Sequence, residues 1–324
     1  MVRGRRILVG KTSADRKRLR ATLGPLRTLK VSPSVQTRYD RAVSHFLWWC
    51  VTYFGILAGD FAELDQQASY FILAMWEEGE PRSIIADTLS GLLHKLERKK
   101  ILSVSWSWLS VWERHEMPNR APPLLTEMAL ALAGLFLHFS LPEMACAVIV
   151  GFHCMLRTAE ILSIRKCHIA WSQGKASITV LGKTSMRTGH IETVIVEDPI
   201  ALLLLMALCE TKGPMDLLFS GTAYRFRQFW AWGIAAIGFD NKAYKPYAIR
   251  RGGATEDWAK HLDAGRLLMR GRWGSMATAR IYAVEGLRVR DSSLVDQLQK
   301  DKMLFGARIF GDFIQRLQEV QLRK

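Results

Sequence analysis

The stretch Met155-Leu-Arg-Thr-Ala-Glu-Ile-Leu-Ser-Ile-Arg165 places Arg157 and, three residues on, Glu160 inside an otherwise apolar run. An arginine followed by an acid at that spacing is usually a weak pair on a solvated helix face. Here Met155, Leu156, Ile161, Leu162 and Ile164 surround the pair, which argues against an ordinary surface role. Working outward, Tyr247-Ala-Ile-Arg-Arg-Gly-Gly-Ala-Thr255 supplies a second arginine, Arg250, with Tyr247 three residues before it. Trp273 lies 23 residues beyond Arg250, in Gly271-Arg-Trp-Gly-Ser275, and Tyr282 nine beyond that, in Ala279-Arg-Ile-Tyr282. Between the two arginine stretches, Val180-Leu-Gly-Lys-Thr184 sets Lys183 at the tip of a predicted turn.

The composition agrees with a polyanionic partner. The 324 residues carry a formal charge of +15, and 49% of them are apolar, enough for one large or two modest cores. Clustered Lys and Arg neutralise phosphates and release condensed counterions, so a basic chain points towards nucleic acid, although it also fits other anionic surfaces. The five cysteines, Cys50, Cys146, Cys154, Cys167 and Cys209, show no paired spacing and read as reduced thiols of an intracellular protein. The eight histidines never pair with cysteine at zinc-ligand spacing, so no metal is expected. The longest apolar region, Met128 to Phe152, is interrupted by His138, Pro142 and Glu143 and reads as two buried helices rather than a membrane span.

Hydrophobic periods divide the chain. Residues 1–31 carry ten Lys or Arg against the single Asp15 and read as a basic, flexible arm; a DNA-contacting arm and a targeting segment are the other readings. Residues 32–117 form a unit of four-helix scale. Val43, Phe46, Leu47, Cys50, Val51 and Phe54 recur at spacings of three and four, and Asp65 to Glu77 and Pro81 to Lys99 keep the same period. Lys95, Arg98 and Lys99, with Arg82 and Lys100, make a basic end that is either a solvated face or a phosphate-tracking surface. Proline and polar residues at 118–123 mark a linker.

Residues 124–324 then read as helix over Leu124 to Phe139 and Pro142 to Ile164. Ala176 to Leu181 and Ile191 to Val196 read as a β-hairpin, and helical periods resume from Ile200 to Leu322. The predicted fold class is mainly α with one small antiparallel β-sheet.

The ordered set Arg157, Lys183, Arg250, Trp273 and Tyr282 resembles the catalytic constellation of the tyrosine recombinases, the phage-integrase and Cre-like family. The resemblance covers about Pro122 to Tyr282 at residue level and extends more loosely back to about Ser32. It implies an N-terminal helical DNA-clamp domain and a C-terminal catalytic domain. It also implies homo-oligomers, dimers or tetramers, on double-stranded DNA, with the segment from Leu287 onward packing on a neighbour. A nuclear or nucleoid location goes with that role. The tryptophan-rich helices and the Arg-Arg-Gly-Gly-Ala-Thr box look more like recombinases of eukaryotic mobile elements than bacterial chromosome-dimer resolvases.

The chemistry fits the residue types. Phenolic oxygen is both a nucleophile and a good enough leaving group for a 3′-phosphotyrosine to be resolved by another strand, so neither ATP nor metal nor other cofactor is required. Arg157 and Arg250 offer planar, permanently charged forks for the phosphate oxygens. Lys183 is placed to protonate the departing 5′ oxygen. Glu160 orients or buffers Arg157.

Successive helical residues point about 100° apart, so only one of Arg250 and Arg251 faces the phosphate. Family spacing selects Arg250, leaving Arg251 to solvent or the DNA backbone; Arg272 is a further DNA-binding candidate. Tyr247 departs from the family's usual His, and a phenol is a poor base at neutral pH. Three readings share this chemistry: a site-specific recombinase for integration or excision, a DNA-binding protein that has lost cleavage, and a type IB topoisomerase-like enzyme that relaxes DNA.

Overall fold

A computed structural model describes residues 12–22, 25, 29–98, 100–116, 120–180 and 192–322. The chain divides into two compact units, Met1–Asn119 and Arg120–Lys324.

In the first unit, α1 (Ser13–Ala21) lies within the basic arm expected to be flexible. Four helices then build the core: α2 (Pro33–Phe54), α3 (Phe61–Glu77), α4 (Arg82–Leu96) and α5 (Ser103–His115). Local chemistry sets their ends. Ser32 accepts from the Val35 N–H ahead of Pro33, and Gly55, in the left-handed region at φ 72°, closes α2. Asp60 caps α3 by accepting from Ala62 and Glu63. The buried Asp65 of α3 caps α5 from another helix, its two oxygens accepting from the Val104 and Ser105 N–H groups at 2.9 Å. A cap supplied across the unit ties α5 to α3, beside a core of Phe46, Trp49, Phe71, Met75, Leu89 and Trp112.

The second unit opens with α6 (Thr126–His138) and α7 (Pro142–His153). The sequence periods carry α7 on to Ile164, but the helix stops at His153. Met155 turns into the left-handed region at φ 49°, and a one-turn helix, α8 (Thr158–Ile161), restarts after Arg157. The sheet has three strands, β1 (Ile169–Ser172), β2 (Lys175–Val180) and β3 (Glu192–Val196), in the antiparallel order β1-β2-β3. Ala176, Ile178 and Val180 alternate into the core opposite Val194 and Val196, the period-two pattern of a half-buried sheet. Strand β1 escapes the hairpin prediction because it is short and mostly exposed, with no alternation to detect. Helices α9 (Pro199–Glu210), α10 (Ala223–Ala236), α11 (Ala248–His261), α12 (Ala264–Gly271), α13 (Met276–Arg280), α14 (Glu285–Ser293) and α15 (Gln297–Leu322) complete the unit.

Two glycine contacts position the elements that matter. A Cβ on Gly252 or Gly253 would come within 2.2 Å of the Leu124 carbonyl or 2.0 Å of the Phe152 carbonyl, so α11 lies directly against the end of α7. Likewise, a Cβ on Gly134 of α6 would sit 1.9 Å from the Gly306 carbonyl of α15. Helix α15 therefore packs on α6 of its own chain, burying Met303, Phe310 and Ile314. Small residues on both helices let the two backbones meet. Among the described residues, no helix is long and apolar enough to cross a membrane.

Candidate active site

The break after α7 creates the first half of the site. Arg157 sits at the N-terminal boundary of α8 with extended backbone, and its N–H donates to Glu160 Oε2 at 2.8 Å. Its Nη1 donates to Glu160 Oε1 at 2.6 Å. Glu160 thus serves as a helix cap and a counterion at once, and it is only 1% exposed. Arg272 Nη2 donates to the same carboxylate at 2.8 Å. Burial alone would raise the Glu160 pKa. The charge of Arg272, the Arg157 N–H and the charge of Arg157 outweigh it and hold this carboxyl below the usual range.

Arg250 enters from α11 with no solvent exposure. Its Nη1 donates to the Met155 carbonyl, which the left-handed turn presents, and its Nη2 donates to the Gly271 carbonyl at 2.6 Å. The guanidinium carbon lies 4.9 Å from the Trp273 ring centroid and 5.3 Å from that of Tyr282, within cation–π range. Burial, and then the nearby Arg157 and Arg272, push the Arg250 pKa down to about 10, which still leaves it charged at neutral pH.

Tyr282 follows α13, whose N-cap Ser275 accepts from Thr278. Its ring stands 4.6 Å from Trp273 and 5.6 Å from Tyr247, centroid to centroid. Burial raises the phenol's pKa, but hydrogen bonding from the Tyr247 hydroxyl and the charges of Arg250 and Arg157 bring it below the ordinary tyrosine value. The indole N–H of Trp273 lies near without a well-aligned hydrogen bond and acts in the same direction. Tyr247 moves the opposite way, raised first by burial and then by Tyr282. The two phenols are therefore unequal, and Tyr282 is the one primed to ionise.

Two contributors had no distinctive sequence signal. Thr255, fully buried on α11, has its one hydroxyl proton between the Arg251 carbonyl at 2.8 Å and the Tyr282 carbonyl at 3.0 Å, while its oxygen accepts from the Val284 N–H at 3.3 Å, so it pins the backbone around the tyrosine. The Met155 carbonyl receives both Arg250 and, at 3.4 Å, Arg272. A threonine hydroxyl and a main-chain oxygen are invisible to residue-type reasoning.

The structure gathers Arg157, Glu160, Tyr247, Arg250, Trp273 and Tyr282 together. Lys183 and Lys99 lie outside the described residues. One expectation needs correcting. Arg251 neither faces solvent nor presents a free cation: it is 3% exposed and donates to the Ala121 carbonyl, because α11 lies too close to the start of the unit for a neighbouring arginine to escape. Arg272 is buried as well, its side chain 7% exposed and tied to Glu160. In the first unit, Lys95 pairs with Asp40 at 2.6 Å, and Arg98 is exposed, its guanidinium 5.9 Å from the Phe61 ring centroid.

No protein-family model matches the sequence, and no curated protein matches it. Solved structures do resemble it. The post-cleavage complex of the XerH site-specific recombinase bound to palindromic difH substrate aligns over 88% of this chain and 85% of that one, with a TM-score of 0.54 and 14% identity. The Tn1549 transposon integrase in complex with transposon right end DNA aligns over 86% of this chain and 97% of that one, with a TM-score of 0.58 and 12% identity. At these identities the likeness is one of architecture, and it joins the helical unit and sheet-bearing unit described above: the chain has the tyrosine-recombinase fold.

Proposed function

We propose that the chain is a DNA strand-transfer enzyme that cleaves and rejoins duplex DNA through a 3′-phosphotyrosine on Tyr282, as a site-specific recombinase acting in integration or excision. The observation that carries this reading is the gathering of Arg157, Arg250 and Tyr282: the Arg250 guanidinium lies 5.3 Å from the Tyr282 ring centroid, and the charges of both arginines draw the phenol's pKa down. In the reaction, the Tyr282 oxygen forms a bond to phosphorus as the bond to the 5′ oxygen breaks. The departing oxygen takes its proton from Lys183. Arg157 and Arg250 neutralise the non-bridging oxygens as charge builds on them, the electrostatic contribution that preorganised donors make best.

Tyr247 is not the base, since its own pKa is raised; it acts as a hydrogen-bond donor to the attacking oxygen, and the phenolic proton passes to solvent. A 5′-hydroxyl from a partner strand reverses the step, so the bond energy is conserved without ATP or metal. The +15 charge supports double-stranded DNA as partner, with two or four copies assembled on paired sites.

Tyr247 also favours a second reading, a DNA-binding protein without cleavage, because it removes the family's usual acid–base group. A nicked duplex carrying the sequences that flank the coding region separates these. The expected outcome is a covalent adduct on Tyr282 that disappears in Tyr282→Phe. No adduct with tight DNA binding supports the binding-only protein, and sequence-independent trapping with relaxation by a monomer supports a topoisomerase.

A further inference from the structure

We propose that Arg272 is a third anion-binding guanidinium of this pocket, one that meets the scissile phosphodiester together with Arg157 and Arg250. The identity of the anion rests on the strand-transfer reading; the existence of the site does not.

Three observations point the same way. First, Arg272 ends α12 with left-handed backbone at φ 56°. Glu97 and Leu262 end α4 and α11 similarly, yet both are exposed, whereas the Arg272 side chain is turned inward and 7% exposed. A strained backbone that points a buried cation into a pocket is the combination expected where strain serves a site.

Second, the charges do not balance. Arg157, Arg250 and Arg272 face Glu160 and, at 4.0 Å from Arg272 Nε and without a hydrogen bond, Glu192. Arg250 has only carbonyl partners for its two Nη groups. Among the described residues, three cations against two carboxylates leave one positive charge over, which a singly charged diester matches.

Third, the donors are incomplete. Among the described residues, Nε and Nη1 of Arg272 and Nε of Arg250 are buried without a hydrogen-bond partner. Buried donors are rarely left so unless a ligand or water completes them. Arg157 and Tyr247, each about a third exposed, form the approach from solvent. An anion entering there draws Arg157 towards it, leaves Arg272 Nη2 on Glu160, and supplies acceptors to the idle nitrogens. Arg272 differs from a mere counterion of Glu160 because that role uses only Nη2.

Inorganic phosphate is the probe. Titrated into the full chain and followed by thermal unfolding, it raises Tm of the wild type; in Arg272→Gly, which removes the cation and relieves the backbone, the apparent phosphate affinity falls at least about tenfold, the scale of one lost charge-assisted hydrogen bond. Arg272→Lys keeps a charge for Glu160 but lacks the second donor face and shows the same loss. A readout on the wild type needs no stable Gly variant: the Arg272 Nε–H resonance, assigned through Arg272→Lys, moves as phosphate is added. Wild-type phosphate affinity in both variants, or an unmoved Arg272 resonance, overturns the proposal. If the strand-transfer reading alone fails, no Tyr282 adduct forms on DNA while the phosphate response and its dependence on Arg272 persist.

Discussion

At the residue scale, the candidate site holds two like groups in unequal surroundings. The rings of Tyr247 and Tyr282 stand 5.6 Å apart, and the charges of Arg250 and Arg157 favour the anion on Tyr282. Tyr247→Phe removes the largest of the effects that lower the Tyr282 pKa, so that pKa rises. Since ionised tyrosine increases with pH, the wild-type cleavage rate is expected to climb with a midpoint below the ordinary phenol pKa of about 10. In the variant, the rising limb shifts to higher pH and the rate near neutrality drops, which single-turnover cleavage across pH measures.

Glu160 offers a second residue-scale check. Glu160→Ala leaves the buried Arg272 without its carboxylate and removes the cap at Arg157, and costs about 3–5 kcal/mol in urea unfolding. The folded-state pKa of Glu160 is depressed, so its contribution is present above the unfolded value of about 4.3 and is lost as pH falls through the folded value. The gap between wild type and variant therefore narrows below about pH 4. The arginines and the tyrosine were legible in the sequence because their chemistry goes with residue type and spacing. The buried state of Arg251 and Arg272 was not, because it depends on which carbonyls and carboxylates come to meet them.

At the scale of elements, the decisive event is the end of α7 at His153. Hydrophobic periodicity runs on to Ile164 because the same apolar residues that would face a helix core here pack around a turn. The break frees the Met155 carbonyl for Arg250 and makes Glu160 a helix cap. The sheet was legible where two strands alternate and hidden where β1 does not. The seating of α15 on α6 depends on Gly134 and Gly306 touching through their backbones. Gly134→Val forces the helices apart and lowers stability by about 1–3 kcal/mol or more, an overpacking cost measurable by chemical denaturation. Retention of wild-type stability would show that α15 is not held there in solution.

At the scale of the whole molecule, each unit keeps its own core. The clusters around Phe46 and Trp112 belong to the first, and those around Phe136, Trp230 and Trp273 to the second. Residues 120–324 produced alone are accordingly expected to unfold in one cooperative thermal transition, followed by circular dichroism; a molten, non-cooperative melt would mean that this unit needs the first. For the intact chain, DNA affinity falls steeply with salt, because each neutralised phosphate releases counterions.

The sequence alone determined the order and chemical type of the groups, the mainly helical class and a division near residue 120, because spacing and hydrophobic period are local properties of the chain. Tertiary structure decided which arginines are buried, which tyrosine is easier to ionise, and that Arg272 shares the carboxylate of Arg157. Those outcomes depend on burial and on charges brought together from distant positions, and no local pattern encodes the electrostatic surroundings that such contacts create.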